Sequence, residues 1–200
     1  MTICIRAADP RRDAAPVQRI YAEAVVSSPA TFELSPPTVA TMWQRIEDAQ
    51  REHRFLVATR DGACLGFATS GAHRARAGYR GAVETSVYVT ADARRGGVGI
   101  ALYRALLREL LDLGFRRALA SVTLPNEPAV RLHETLGFAH VGVFTAVGFK
   151  LGAWHDVSWW QRPLELTTAV PRPAATPDGA GERAPRTGPG FAGVESAALP

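Results

Sequence analysis

The chain has 200 residues, 46 % of them hydrophobic, enough for one compact domain with a core of ordinary size. Its formal net charge is +4 and its pI about 9.6, but the basic residues, all arginine except Lys150, are scattered among 19 acids. That pattern offers no nucleic-acid face; no apolar run reaches the roughly 20 residues of a spanning helix, and the start, MTICIRAADPRR, lacks the apolar centre of a secretory signal.

Two cysteines, Cys4 and Cys64, are too few for a disulfide framework and are not spaced as metal ligands. Both are expected to be buried small hydrophobes. The expectation is a soluble cytoplasmic protein that binds no metal, membrane or nucleic acid.

In chain order, AAPVQRIYAEAVV repeats apolar residues at helical spacing, with Asp13 as its expected cap and Pro16 in the first turn. SSPATFELSPP breaks that helix, and a second amphipathic helix opens at Thr38. RFLVATR and ACLGFATSGAH flank Asp61-Gly62, a pair that supplies the positive φ angles of a tight hairpin turn. AVETSVYVT is a further strand. VGIALYRALLRELLDLG is the clearest helix, closed near Gly114. RALASVTL then reads as a strand, NEPAVRLHETLG as a short helix, and HVGVFTAVGFK and WHDVSWWQRPL as late strands. After Leu166 the chain turns to Pro, Gly and Ala with almost no large apolar residue. We therefore expect one α/β domain over 1–166, mixed and built on one sheet, and a flexible tail over 167–200.

The stretch Arg94-Arg95-Gly96-Gly97-Val98-Gly99-Ile100 joins a strand to the clearest helix. A helix start presents unpaired N–H groups and the positive end of the macrodipole, glycines let a ligand approach the backbone, and the two arginines add charge. Two readings stand side by side: a phosphate seat, or a glycine turn with no ligand. No GxGxxG fingerprint is present, and the loop lacks the lysine and Ser/Thr of a Walker P-loop.

Arg94-x-x-Gly97-x-Gly99 between a strand and a long helix resembles the pyrophosphate motif of the GNAT superfamily of acyl-CoA-dependent N-acetyltransferases. Asn126, His133 and Gly137-Phe138 in NEPAVRLHETLGF agree with it. ETSVYVTADARRGGVGIALY, LPNEPAVRLHETLGF and VGFKLGAWHDVSWWQ together resemble the phosphinothricin N-acetyltransferase family, from about Ile5 to Leu164. The resemblance implies the GNAT fold: one mixed, mostly antiparallel sheet with splayed central strands, flanked by helices. It also implies acetyl transfer from acetyl-CoA to the α-amine of a small amino-acid analogue, without a metal, in an enzyme that often forms homodimers through its late strands. Other amines, or an acyl-CoA sensor without turnover, are the alternatives.

The chemistry asks for a base, since an α-ammonium group is mostly charged at neutral pH. On the strand VETSVYV the alternation puts Glu84, Ser86 and Tyr88 on one face and the valines on the other. Glu84 is an edge charge by base rate and the catalytic base by resemblance. His133, on the short helix, is a structural histidine or a proton-transfer group. The resemblance also implies that backbone N–H groups near Val87, Tyr88 and Val89 polarise the thioester carbonyl, and that Asn126 meets the pantetheine arm; Asn126 is otherwise an N-cap. Phe32, Arg76 and Tyr79 are the expected acceptor wall, and Arg80-Gly81 departs from the acidic-aromatic pair of the herbicide-detoxifying members. His155 and Asp156 point to opposite faces of a strand, so they are not a metal pair; His155 is expected at the pocket rim or a subunit contact.

Overall fold

The computed structural model describes residues 2–164, so the expected tail over 167–200 lies outside the described residues. The elements in order are β1 (Cys4–Ala7), α1 (Pro10–Ser27), α2 (Val39–Glu52), β2 (Phe55–Arg60), β3 (Ala63–Ala72), β4 (Ala82–Val89), α3 (Val98–Asp112), β5 (Arg117–Thr123), α4 (Glu127–Thr135), β6 (Ala139–Lys150) and β7 (Ala153–Pro163). Short 3₁₀ turns at Ala77–Tyr79 and Ala91–Ala93 flank β4. Among the described residues one seven-stranded sheet runs β1-β2-β3-β4-β5-β7-β6, antiparallel throughout except where β4 meets β5.

Two apolar layers cover the sheet. On one face α1 and α2 bring Val17, Ile20, Val25 and Ile46 onto Phe55, Val57 and Phe67. On the other, α3 brings Leu102, Leu106 and Leu110 onto Leu56, Ala58, Val83 and Ala120. Successive β2 residues therefore serve opposite layers, which is why FLVA reads as an unbroken apolar run. The β2–β3 hairpin forms on Asp61 and Gly62, at φ 51° and 81°, as the Asp-Gly pair predicts.

Two local expectations are corrected, and one strand is added. The α1 cap is Asp9, whose side chain accepts the Arg11 N–H, while Asp13 sits buried inside the first turn. Burial alone would raise the Asp13 carboxyl; paired hydrogen bonds from Arg6 at 2.6 and 2.8 Å, with the Asp9 N–H, outweigh it and hold the group below its ordinary range. Arg6 belongs to β1, an edge strand the sequence reading does not anticipate. Cys4 on that strand is exposed and Cys64 only partly buried, so neither is a core residue.

Candidate active site

The parallel register of β4 with β5 covers Ala82↔Arg117, Val83↔Ala118 and Glu84↔Leu119 and then stops. Beyond it the two strands part, while β4 keeps its pairing with β3 as far as Gly66↔Val89. The Thr90 N–H donates to Leu65 on β3 at 2.9 Å. Backbone N–H groups alternate along a strand, so those of Val89 and Val87 face the β5 side, where the ladder has ended. Tyr88, between them, turns its side chain into the α1–α2 layer and stacks on Phe67.

The chain leaves β4 through the loop Arg94–Gly97 and enters α3. Side chains cap the other three described α-helices, namely Asp9 on α1, Thr38 on α2 and Asn126 on α4. The α3 helix starts at Gly97 without a side-chain cap. Its first internal bond runs from the Ala101 N–H to Gly97 O, so the N–H groups of Val98, Gly99 and Ile100 have no partner within the helix. Gly97 takes φ 77° and Arg95 φ 62°. A Cβ on Gly97 would meet no atom within 4 Å, so open space lies before it, whereas one on Gly99 would sit 3.6 Å from the Val89 side chain. Arg94 to Gly97 are exposed, and Val98 is buried under them. A bare, positively polarised helix end in front of open space, beside two exposed arginines, fits a pyrophosphate.

Glu84 stands where β4 and β5 part, on the face of α1 and α2. Its Oε1 lies 2.7 Å from Nδ1 of His73, a residue just beyond β3 that the sequence reading does not single out. The His73 ring meets Tyr79 and Trp159 edge to face at 5.7 and 6.1 Å. Arg76 opens the 3₁₀ turn that carries Tyr79; its carbonyl takes the Tyr79 N–H and its side chain is exposed. A cleft of about 410 Å³ on the same face, between α2 and the sheet, is lined by Arg45, Gly71, Ser86 and Tyr88 among others. A second, of about 500 Å³, lies by α1 and the β2–β3 hairpin and holds none of the expected site residues.

Phe32 lies over the β6–β7 hairpin, on Gly148 and 6.3 Å from the His155 ring, whose Nε2 donates to the Lys150 carbonyl. Lys150 in turn reaches back to the Thr31 carbonyl at 2.6 Å, holding the loop that carries Phe32. A Cβ on Gly148 would stand 2.2 Å from Phe32 Cε1. If Phe32 walls the acceptor, as the resemblance implies, Gly148→Ala displaces it and raises the acceptor KM severalfold while the acetyl-CoA Kd holds. An unchanged acceptor KM would remove Phe32 from the acceptor wall.

His133 lies on the opposite side of the sheet. It is 5 % exposed, ringed by Tyr103, Phe138 and Trp160, and so not brought to Glu84. A carbonyl only accepts, so Nδ1 donates to Ala129 O at 2.7 Å; Nε2 faces the Tyr103 hydroxyl at 3.2 Å. Tyr103 in turn meets Thr85 at 2.6 Å, and Thr85 donates to Leu119 O where the ladder ends. Four contacts share three protons when His133 is neutral and four when it is cationic. Burial nevertheless pushes the imidazole below its ordinary range, so the neutral form prevails at pH 7. Asn126 accepts the Ala129 N–H at 3.2 Å as the α4 cap. Among the described residues no group of three or more His, Cys, Asp and Glu is placed to hold a metal, and no helix is long and apolar enough to cross a membrane.

A seven-stranded sheet opened between its parallel pair, with a glycine-led helix end at the opening, is the architecture of an acyl-CoA-dependent N-acetyltransferase. The model of the acetyltransferase (GNAT) domain matches residues 5–159, and the chain belongs to that family, whose members use acetyl-CoA. It is 40 % identical over 161 residues to a phosphinothricin N-acetyltransferase of Streptomyces viridochromogenes, covering 80 % of this chain and 87 % of that one. An L-methionine sulfoximine/L-methionine sulfone acetyltransferase of Pseudomonas aeruginosa is 32 % identical over 154 residues, covering 76 % and 90 %. The crystal structure of a phosphinothricin acetyltransferase from Sinorhizobium meliloti with AcCoA superposes with a TM-score of 0.80 at 36 % identity, over 89 % of this chain and 97 % of that one. This chain is thus an acetyltransferase of the GNAT fold.

Proposed function

We propose that the acceptor is the α-amine of a small amino-acid analogue of the phosphinothricin and methionine sulfoximine or sulfone class, attacked directly in a ternary complex. The observation that carries the reading is one carboxylate, Glu84, standing at the head of the β4–β5 split whose far end leads to the bare start of α3. Relatives named for those substrates support the acceptor class.

Acetyl-CoA, when bound, supplies an activated thioester. The N–H groups of Val98, Gly99 and Ile100 hold its pyrophosphate, Gly96 and Gly97 leave room for it, and Arg94 and Arg95 add charge-assisted bonds. The N–H groups of Val87 and Val89, which flank Tyr88, polarise the thioester carbonyl and stabilise charge developing on its oxygen. Glu84 removes one proton of the acceptor ammonium; as the amine nitrogen bonds the acetyl carbon the C–S bond would break, and the second proton that nitrogen sheds would match the one the departing CoA thiolate takes up. Asn126 spends Oδ1 on its helix and offers Nδ2 to the pantetheine arm. His133, tied to Thr85 on β4 through the Tyr103 hydroxyl, is the second proton-transfer group of this reading. Phe32 and Tyr79 wall the acceptor, and Arg76 takes its carboxylate. Burial raises the Cys64 thiol, which disfavours a covalent route.

The test is CoA thiol release with acetyl-CoA and a panel of amines. Phosphinothricin, methionine sulfoximine and methionine sulfone are expected to react, and spermidine, an aminoglycoside and ordinary amino acids to stay silent. Reaction with one of the latter alone overturns the acceptor assignment.

The same reading places the enzyme in the cytoplasm as a homodimer. Among the described residues the β6 strand ends the sheet with one unpaired edge and exposes Val141, Val143, Phe144, Val147 and Phe149, with Leu151 and Trp154 beside them. So apolar an edge calls for a partner. Sedimentation is expected to give twice the 21.5 kDa chain mass, and the single mass overturns the dimer.

Residues 1–166 form the catalytic domain in this reading. Leu164 is 5 % exposed and its N–H donates to Arg116 O, so the described chain is packed up to that residue. Truncation after Leu166 should leave Tm within about 2 °C of the full chain, a shift of no more than about 1 kcal/mol. A larger drop would show that the tail packs.

A further inference from the structure

We infer that His73 is a positioning residue for the reaction: its Nδ1–H holds Oε1 of Glu84 and so leaves Oε2 as the atom that takes the acceptor's proton. This inference rests on Glu84 being the base.

A carboxylate has no proton to give, so in the 2.7 Å contact Nδ1 carries the hydrogen and Oε1 accepts. Among the described residues Oε2 has no partner. The Glu84 side chain is 41 % exposed, so without a fixed contact its carboxylate would sample several rotamers; the His73 side chain is 17 % exposed and therefore fixed. Three elements hold it. Gly71 pairs with Glu84 across β3 and β4, so His73, just beyond the end of β3, comes over the carboxylate. Tyr79 from the 3₁₀ turn and Trp159 from β7 clamp the ring edge to face. Trp159 and the buried Trp160 are neighbours on β7 and point to opposite faces, which sets Trp159 on the side of Glu84 and away from His133.

The clamp and the hydrogen bond are separable. Phenylalanine at 73 keeps a ring between Tyr79 and Trp159 and loses the donor. Asparagine keeps an N–H near the place of Nδ1 and loses most of the ring.

The experiment measures kcat, both KM values and the acetyl-CoA Kd of full-length His73→Phe, His73→Asn, Glu84→Gln and the double variant His73→Phe/Glu84→Gln, with methionine sulfone as acceptor. His73→Phe is expected to lower kcat about 10- to 100-fold, the scale of a misplaced reacting group, with the acetyl-CoA Kd unchanged. His73→Asn is expected to recover most of that loss. In the Glu84→Gln background the phenylalanine should add almost nothing, because two residues acting as one unit are not additive. An active His73→Phe with a crippled His73→Asn would show that the ring only packs, and would overturn the inference while the base stands. Full turnover by Glu84→Gln would remove the base itself and the inference with it.

Discussion

Glu84→Gln is expected to lower turnover about 10²- to 10⁴-fold, the usual contribution of a positioned base, with the acetyl-CoA Kd within about twofold of the parent. Glutamine matches glutamate in size and still offers an oxygen to the His73 Nδ1–H, so the site keeps its shape. What disappears is a group able to take a proton. The pyrophosphate seat proposed at the start of α3 lies beyond the far end of β4 from Glu84, which is why cofactor affinity should not follow turnover. The residual rate carries a second signature. Without a base the reaction depends on amine that is already neutral, so kcat/KM of the variant should keep climbing as pH rises through the amine's own range. Parent-like turnover with an unchanged pH profile would remove Glu84 as the base.

Most of the frame is legible in the sequence because its signals are local. The Asp61-Gly62 turn, the Thr38 cap and the apolar period of α3 each specify their element within a few residues. So does the glycine run before α3, and the split of β4 from β5 follows from the family resemblance that run supports. Legibility ends where a partner is far along the chain. β1 is four residues long, too short to show a period, and is stabilised by pairing with β2. Asp13 is the expected cap of α1, and only Arg6 on β1 decides that it is instead a buried ion-pair partner. His73 looks like one more polar residue in a basic loop until the register of β3 and β4 lays it against Glu84. Alternation does place Glu84 on one face of β4, but nothing in the sequence says that His133 lies under the other, tied to Tyr103 and Thr85.

Gly97→Val is expected to weaken acetyl-CoA binding at least tenfold, about 1.4 kcal/mol, with kcat at saturating cofactor much less affected. Two effects combine and can be separated. The residue sits at φ 77°, where a β-branched side chain is strained, so the helix start loses about 1–2 kcal/mol of preference for its present shape. The added side chain also projects into space that is open in the protein, the same space a pyrophosphate on the N–H groups of α3 would fill. Gly97→Asn separates them, because asparagine tolerates the left-handed conformation while still placing a side chain before the helix end. If the seat is where the geometry puts it, both variants bind acetyl-CoA poorly, and only the valine loses Tm. If strain alone matters, the asparagine binds normally and the open space has another purpose. Parent-like affinity in both variants would leave the bare start of α3 without a ligand, and the glycines would then mark a turn and nothing more.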